Sequence, residues 1–324
     1  MKLRDVDAQQ LVETQLGPGP WEVREFGAGR FSQAFSVDGD DGEQYVLRVA
    51  PPDSLRQLFY ERRMMRQEPA LHQRLLAETD VPVPPIVAQD FSREQIGRDY
   101  LIMPRLPGRP LSDARLGPAA RARALREWGR HVRQIHQLTD LAGRFGYLGE
   151  HRCMDPQPTW MEAFAEMYQR ELADIVDCGV YDQATADGAM DLLSQYLELF
   201  AHCSESRLLH GDLWVTNLLV DDRGGVTGVI DFDRACWGDI EWDLAIAEYC
   251  GITRPPFWEG YGRAVETHEG EAAVRRMFYL LYEHQKYIVI SMSARRDDPS
   301  GARRYARESL AVMERFRRTG EPAF

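Results

Sequence analysis

His210, Gly211 and Asp212 stand together in the chain, Asn217 follows the aspartate by five residues, and an apolar run through Ile230 delivers Asp231. Two carboxylates and an amide are hard oxygen donors. Brought together, they suit Mg²⁺, held by few protein ligands while phosphate oxygens supply the rest. Phosphoryl transfer needs one group to orient an acceptor hydroxyl and receive its proton, and others to hold metal on a nucleoside triphosphate. Asp212 fits the first role; Asn217 and Asp231 fit the second.

The segments around these residues have the pattern needed to assemble them. Leu218–Val220 and the run from Val226 to Ile230 flank Asp221–Gly225, which has the form of a β-hairpin turn. Such a hairpin returns Asn217 and Asp231 toward each other, with Asp212 on the preceding loop. Single acidic residues beside an ordinary hairpin would carry little meaning; three such groups in this order carry more. His210 suits a scaffold role better than zinc ligation, because no second histidine stands at ligand spacing.

HGDLWVTN, VIDFD and GDIEWDLA together resemble the aminoglycoside phosphotransferase family. That family is a branch of the protein-kinase-like small-molecule kinases, with choline, homoserine and ketosamine kinases as other members. The resemblance implies an α+β, bilobal protein-kinase-like fold, with a β-rich N-terminal lobe and a mainly helical C-terminal lobe. It implies Asp212 as catalytic base or acceptor-orienting residue, Asn217 and Asp231 as metal ligands, and structural roles for Asp239 and Asp243; Asp233 is close enough in sequence to aid the metal site. The lobes are expected at 1–107, binding nucleotide, and 108–324, carrying catalysis and the acceptor site.

The N-terminal third reads as a short helix up to Leu16, a GPGP stop and three strands, Trp21–Phe26, Phe31–Val37 and Gln44–Ala50. Gly27 and Gly29 could let a hairpin backbone lie over phosphates, with Ser32 adding a hydroxyl; alone, GAGRFS also reads as a plain β-turn. Arg48 sits in the third strand where kinases of this fold usually carry lysine. A guanidinium can span phosphate oxygens and a carboxylate, although its planar fork differs from an ammonium. Glu68 resembles the family's helix glutamate and is the expected partner of Arg48, with Glu61 the competitor. Asp53 is expected to cap a helix bearing Arg62, Arg63 and Arg66. YLIMPRLPGRP resembles the inter-lobe connection, whose backbone around Met103, Arg105 and Leu106 would meet a purine edge.

Beyond Gly108 the pattern turns helical, with apolar stripes at Leu125, Trp128, Val132 and Ile135, and again from Trp160 to Asp177 and from Thr185 to His202. The family builds its variable acceptor pocket in this region, so Asp155, Trp160 and Glu162 are candidate substrate contacts, with Trp258 from a later aromatic cluster. Packing between helices is the competing role for the aromatics.

Composition excludes several classes. At 324 residues, with 44% hydrophobic and 28% charged side chains, the chain is globular and long enough for two lobes. No apolar run approaches membrane-spanning length, and the N-terminus lacks a signal-peptide core, so a cytoplasmic protein is expected. A net charge of −12 opposes a nucleic-acid surface and is compatible with a cationic small substrate. Five dispersed cysteines read as buried thiols in a reducing compartment. The expected reaction moves the γ-phosphoryl group of ATP, or GTP, to a hydroxyl of a small molecule. An aminoglycoside or related antibiotic leads, with a ketosamine, choline or homoserine kinase as the alternative. A catalytically silent nucleotide-binding protein is a further alternative, motivated by Arg48. Oligomeric state is not legible in the sequence.

Overall fold

The computed structural model describes residues 3–26, 32–293 and 296–324. Helix α1 (Asp5–Leu16) precedes a sheet built from β1 (Glu22–Glu25), β2 (Gln33–Asp38) and β3 (Gln44–Val49), with β4 (Ala88–Asp90) and β5 (Tyr100–Pro104) after helix α2 (Glu68–Glu78). Strand order is β1-β2-β3-β5-β4, antiparallel at every step. Alternation turns Phe35, Val37, Leu47, Val49, Tyr100 and Ile102 to one face, where Ala8, Leu11 and Val12 of α1 cover them. Arg48 therefore points to the opposite face, between Ala34 and Leu101 in register.

The connection from Asp53 to Gln67 is not the expected helix. It forms turns and two short 3₁₀ segments, interrupted at Arg63, whose φ of 61° is left-handed. Asp53 caps nothing there; its carboxylate pairs with Arg93 at 2.6 Å. Arg66 is likewise spent on buried Asp99. Helix α2 begins only at Glu68, with Pro69 in its first turn, where a missing N–H costs nothing.

The short β6 (Arg109–Pro110) leads to α3 (Pro118–Ile135), α4 (Trp160–Asp177) and α5 (Gln183–Ser194). The expected helix to His202 breaks at Gln195 and resumes as a 3₁₀ segment from Leu197. Strand β7 (Arg207–Leu209) enters the catalytic loop, β8 (Leu218–Val220) and β9 (Val226–Val229) form the hairpin, and β10 (Cys236–Gly238) returns antiparallel to β7. Helices α6 (Ile240–Tyr249), α7 (Pro255–Tyr261), α8 (Gly270–Met292) and α9 (Pro299–Thr319) complete the chain. Among the described residues, no helix is long and apolar enough to cross a membrane.

The helical core is aromatic: Trp160, Phe164, Tyr168, Phe200, Trp242, Phe278 and Tyr279 are all essentially buried. Phe164 stacks on Phe200 at 4.8 Å, and Trp160 on Trp242 at 6.1 Å. Helices α3 and α7 touch backbone to backbone. A Cβ on Gly129 would lie 2.0 Å from the carbonyl oxygen of Phe257, and one on Gly260 only 1.8 Å from that of Arg126. All five cysteines are free thiols, none exposed.

Candidate active site

The catalytic loop is fixed from behind. Gly211 has φ 75°, and a Cβ there would meet the carbonyl oxygen of Arg234 at 2.3 Å, so only glycine fits. Buried Asp243 on α6 accepts the backbone N–H groups of His210 at 2.7 Å and Gly211 at 2.9 Å. His136, from the end of α3, lies 3.2 Å from the same carboxylate and 2.9 Å from the Tyr261 hydroxyl. The N–H of Asp212 points at His210 Nδ1, which must therefore accept; Nε2 then carries the hydrogen and donates to the Ile230 carbonyl at 3.0 Å. His210 thus ties the loop to the hairpin, as a scaffold.

Asn217 Nδ2 donates to both the backbone oxygen and Oδ2 of Asp212, each at 3.0 Å. With its N–H₂ engaged there, the amide oxygen, which accepts from the Thr216 hydroxyl at 3.4 Å, is the end that could receive a cation. The Ile230 N–H donates to the Asn217 carbonyl at 3.0 Å, so hairpin pairing brings Asp231 beside Asn217. Asp231 itself has φ 73°, a left-handed turn that swings its half-exposed carboxylate into the cleft. Burial pushes the Asp212 pKa up, but the charges of Arg234 and Lys286 and the Asn217 hydrogen bond bring it to a net value below the usual range. Asp212 stays ionised and ready to accept a hydroxyl hydrogen bond.

Arg48 joins the lobes. Its NH1 donates to Glu68 at 2.6 Å; its NH2 donates to Asp231 at 2.9 Å and to Asp233 at 3.1 Å. One guanidinium faces three carboxylates. Burial pushes Glu68 up to about 7 against the opposing pull of Arg48, and burial with the nearby Asp231 raises Asp233 well above the carboxylate range. This uncompensated acidity, with the Asn217 amide oxygen beside it, is a donor set that fits a divalent cation. Glu61, the competing partner, is engaged elsewhere: it pairs with Arg234 at 2.8 Å and accepts the N–H of Leu58.

These residues share one cleft of about 710 Å³. Ser32, Arg48, Glu68, Met103, Arg105, Leu106, Asp212, Asn217 and Asp231 all line it. At the inter-lobe connection the Arg105 N–H is already given to Gln44 at 2.9 Å, and the Arg105 guanidinium lies over the Phe26 ring. Gly27 and Gly29 lie outside the described residues.

The four candidate acceptor contacts do not line the cleft. Trp160 is wholly buried in the helical core, donating to the Tyr279 hydroxyl at 2.8 Å. Glu162 sits in the first turn of α4 and accepts from the Thr159 hydroxyl, while Thr159 caps the helix through the Glu162 N–H. Asp155 lies in the exposed loop before that helix. Trp258 packs edge-on to Phe257 and Tyr261. Its amphipathic pattern came from docking α7 onto α3.

The cleft that Asp212 lines is also walled by Arg56, Gln57, Glu61 and Met64 from the irregular connection, Trp214 and Arg234, and Tyr287, Ile290, Ser293 and Arg296 from the end of α8 and beyond. Sequence reading missed them. The one local signal was Lys286, a cation in the apolar run of α8 that is nearly buried and pairs with Glu283.

Residues 22–279 match the model of the phosphotransferase enzyme family. A protein of Escherichia coli strain K12 named "Probable ketoamine kinase YniA" is 30% identical over 295 residues, spanning 84% of this chain and 88% of that one. A "Probable ketoamine kinase" of Vibrio parahaemolyticus is 29% identical over 271 residues, 78% of this chain and 82% of its own. Among solved structures, a thermostable mutant of aminoglycoside phosphotransferase APH(4)-Ia, in a ternary complex with AMP-PNP and hygromycin B, superposes with a TM-score of 0.66 at 22% identity, over 98% of this chain and 100% of that one. The GDP complex of aminoglycoside 2′-phosphotransferase-IIIa gives 0.65 at 17% identity, over 98% and 100%. At these identities the structural likeness establishes the protein-kinase-like fold.

Proposed function

Because the chain belongs to the phosphotransferase enzyme family, we propose that it transfers the γ-phosphoryl group of ATP or GTP to a hydroxyl of a ketoamine, a small sugar derivative bearing a secondary amine. The observation that carries the acceptor class is the match to ketoamine kinases along most of both chains. It favours the metabolic alternative over the aminoglycoside acceptor that the motifs first suggested.

In this reading Asp212 accepts a hydrogen bond from the acceptor hydroxyl and takes its proton late in a loose transition state. Asn217 holds Asp212 in place with one end of its amide and turns the other toward the metal position. Asp231 and Asn217 would hold Mg²⁺, which when bound offsets charge on the triphosphate. Arg48 exchanges a carboxylate contact for phosphate oxygens while Glu68 retains its other arm. The segment Met103–Leu106 meets the purine, and Asp243 and His210 keep the loop in register. A nucleoside triphosphate donor places the reaction in the cytoplasm.

The test is acceptor-dependent release of ADP or GDP from purified protein with Mg²⁺, comparing hexose and pentose ketoamines with hygromycin B, other aminoglycosides, choline and homoserine. Mass spectrometry should find the ketoamine heavier by one phosphoryl group. Turnover confined to aminoglycosides would return the acceptor to that class. Nucleotide binding without turnover on any acceptor would favour a silent binding protein.

A further inference from the structure

Away from the cleft, three metal-capable side chains converge where the 3₁₀ segment ending at His202 meets the start of α6. A ring nitrogen of His202, a carboxylate oxygen of Asp239 and one of Glu241 all lie within 4.8 Å of one another. His202 Nε2 stands 3.1 Å from Asp239 Oδ2 and 3.6 Å from Glu241 Oε1. The other ring nitrogen, Nδ1, lies 3.1 Å from the Leu199 carbonyl oxygen, which can only accept, so Nδ1 carries a hydrogen. In the neutral imidazole, Nε2 is then a bare lone pair aimed at two carboxylates. Three acceptors facing one another repel unless a positive charge sits among them. A proton on Nε2 meets that need, and so does a metal ion.

Each of the three side chains is also held from outside, as metal ligands are. His202 has Leu199 behind it. Asp239 Oδ2 accepts the Tyr279 hydroxyl at 2.6 Å, and its Oδ1 accepts the Glu241 N–H at 3.0 Å. Arg275 forks Glu241, with Nε 2.8 Å from Oε2 and NH2 2.9 Å from Oε1. A carboxylate oxygen offers two lone pairs, so Asp239 Oδ2 and Glu241 Oε1 each keep one for the centre of the group. Arg275 cancels only one of the two carboxylate charges. Burial pulls the His202 pKa down, but the hydrogen bond and charge of Asp239 and the charge of Glu241 outweigh it and the opposing Arg275, for a net value above the ordinary one. The centre therefore attracts positive charge. Asp239 is buried, whereas the His202 side chain is 34% exposed, which gives an ion an entry path and a solvent-facing coordination position.

We propose that His202, Asp239 and Glu241 bind a divalent transition metal of the zinc class, with water in the open position. One imidazole nitrogen with two carboxylate oxygens suits such an ion better than Mg²⁺, which prefers oxygen throughout. The bound ion would pin the 3₁₀ segment to the first turn of α6, the helix whose Asp243 holds the loop amides of His210 and Gly211. The site is separate from the proposed phosphoryl transfer and does not depend on its acceptor.

The experiment is titration calorimetry of Zn²⁺ into the full chain, stripped with chelator and kept in excess Mg²⁺, for the parent and for His202→Ala. Zn²⁺ should bind the parent and raise its melting temperature. In His202→Ala the affinity should fall about 100-fold or more, since losing even an outer partner of a ligand costs about 10–100-fold. Co²⁺ should give the parent visible d–d absorption that the variant lacks. His202 is exposed, so the variant should keep its fold, which circular dichroism checks. Absence of Zn²⁺ binding to the parent leaves the proton as the occupant and overturns the site. Equal Zn²⁺ affinity and equal Co²⁺ absorption in the two proteins place the ion elsewhere, at Asn217 and Asp231 for example, and overturn it as well.

Discussion

Asp212 and Asp231 stand one hydrogen-bonded amide apart, yet their substitutions should separate cleanly. Asp212→Asn keeps shape and removes the proton acceptor; turnover should fall at least roughly 100-fold, the range of lost general-base assistance, with nucleotide affinity by titration calorimetry retained. Asp231→Ala should weaken Mg²⁺-nucleotide binding together with turnover. Near-parental rates in folded Asp212→Asn would end the role given to Asp212. Arg48→Ala leaves Glu68, Asp231 and Asp233 facing one another without their shared cation. Its nucleotide KM should rise about tenfold or more, the scale of a lost charged hydrogen bond. Arg48→Lys should recover part of this, since an ammonium is a point charge that cannot span the same three carboxylates. Steady-state kinetics on the pair decides whether the guanidinium serves the nucleotide.

At the level of elements, α4 and α8 enclose Glu171, a fully buried carboxyl with neither oxygen hydrogen-bonded to protein. Burial raises its pKa well above the ordinary value, so the folded chain keeps a proton that the unfolded chain releases near pH 4.5. The native state then binds more protons than the unfolded one above that pH, and stability must fall as pH rises toward the folded pKa, by up to about 1.4 kcal/mol per unit. Glu171→Gln should make this slope shallower, leaving the share of the other buried carboxyls such as Glu68, and be the more stable protein at pH 7; urea unfolding at pH 5 and pH 7 measures it. At the α3–α7 contact, Gly260→Ala forces a methyl into the Arg126 carbonyl. Melting temperature should drop, and turnover should drop with it, because Tyr261 and His136 connect this contact to Asp243. Elements with a clear local period were legible in sequence, including the β8–β9 hairpin and α4. Glu68 could be paired with Arg48 through the family likeness. The segment from Asp53 to Gln67 was misread as helical, because the left-handed turn at Arg63 has no local signature. The cleft wall made by Arg56–Met64 and Tyr287–Arg296 was illegible for a different reason. It exists only where that irregular segment meets the end of α8, some 230 residues later, and Trp160 was placed on it although its whole surface belongs to the core.

For the molecule as a whole, the cleft proposed to take the nucleotide is lined from both lobes, so occupancy should stabilise their assembly. At 100 times its dissociation constant, Mg²⁺-nucleotide should add about 2.7 kcal/mol, visible as a concentration-dependent rise in melting temperature. The rise should be largely lost in Asp231→Ala and kept in Asp212→Asn; the same rise in both would mean that Asp231 does not hold the metal. The free thiols have a separate consequence. Burial raises Cys153 to about 12 and Cys250 to about 11, and pushes Cys178, Cys203 and Cys236 upward as well. With so little thiolate at neutral pH, the native chain should be nearly silent toward maleimides. A cysteine introduced at Leu141, 94% exposed, would then take up a fluorophore alone. Paired with a second such site on the N-terminal sheet, it turns the parent sequence, with no thiol removed, into an optical ruler for the cleft.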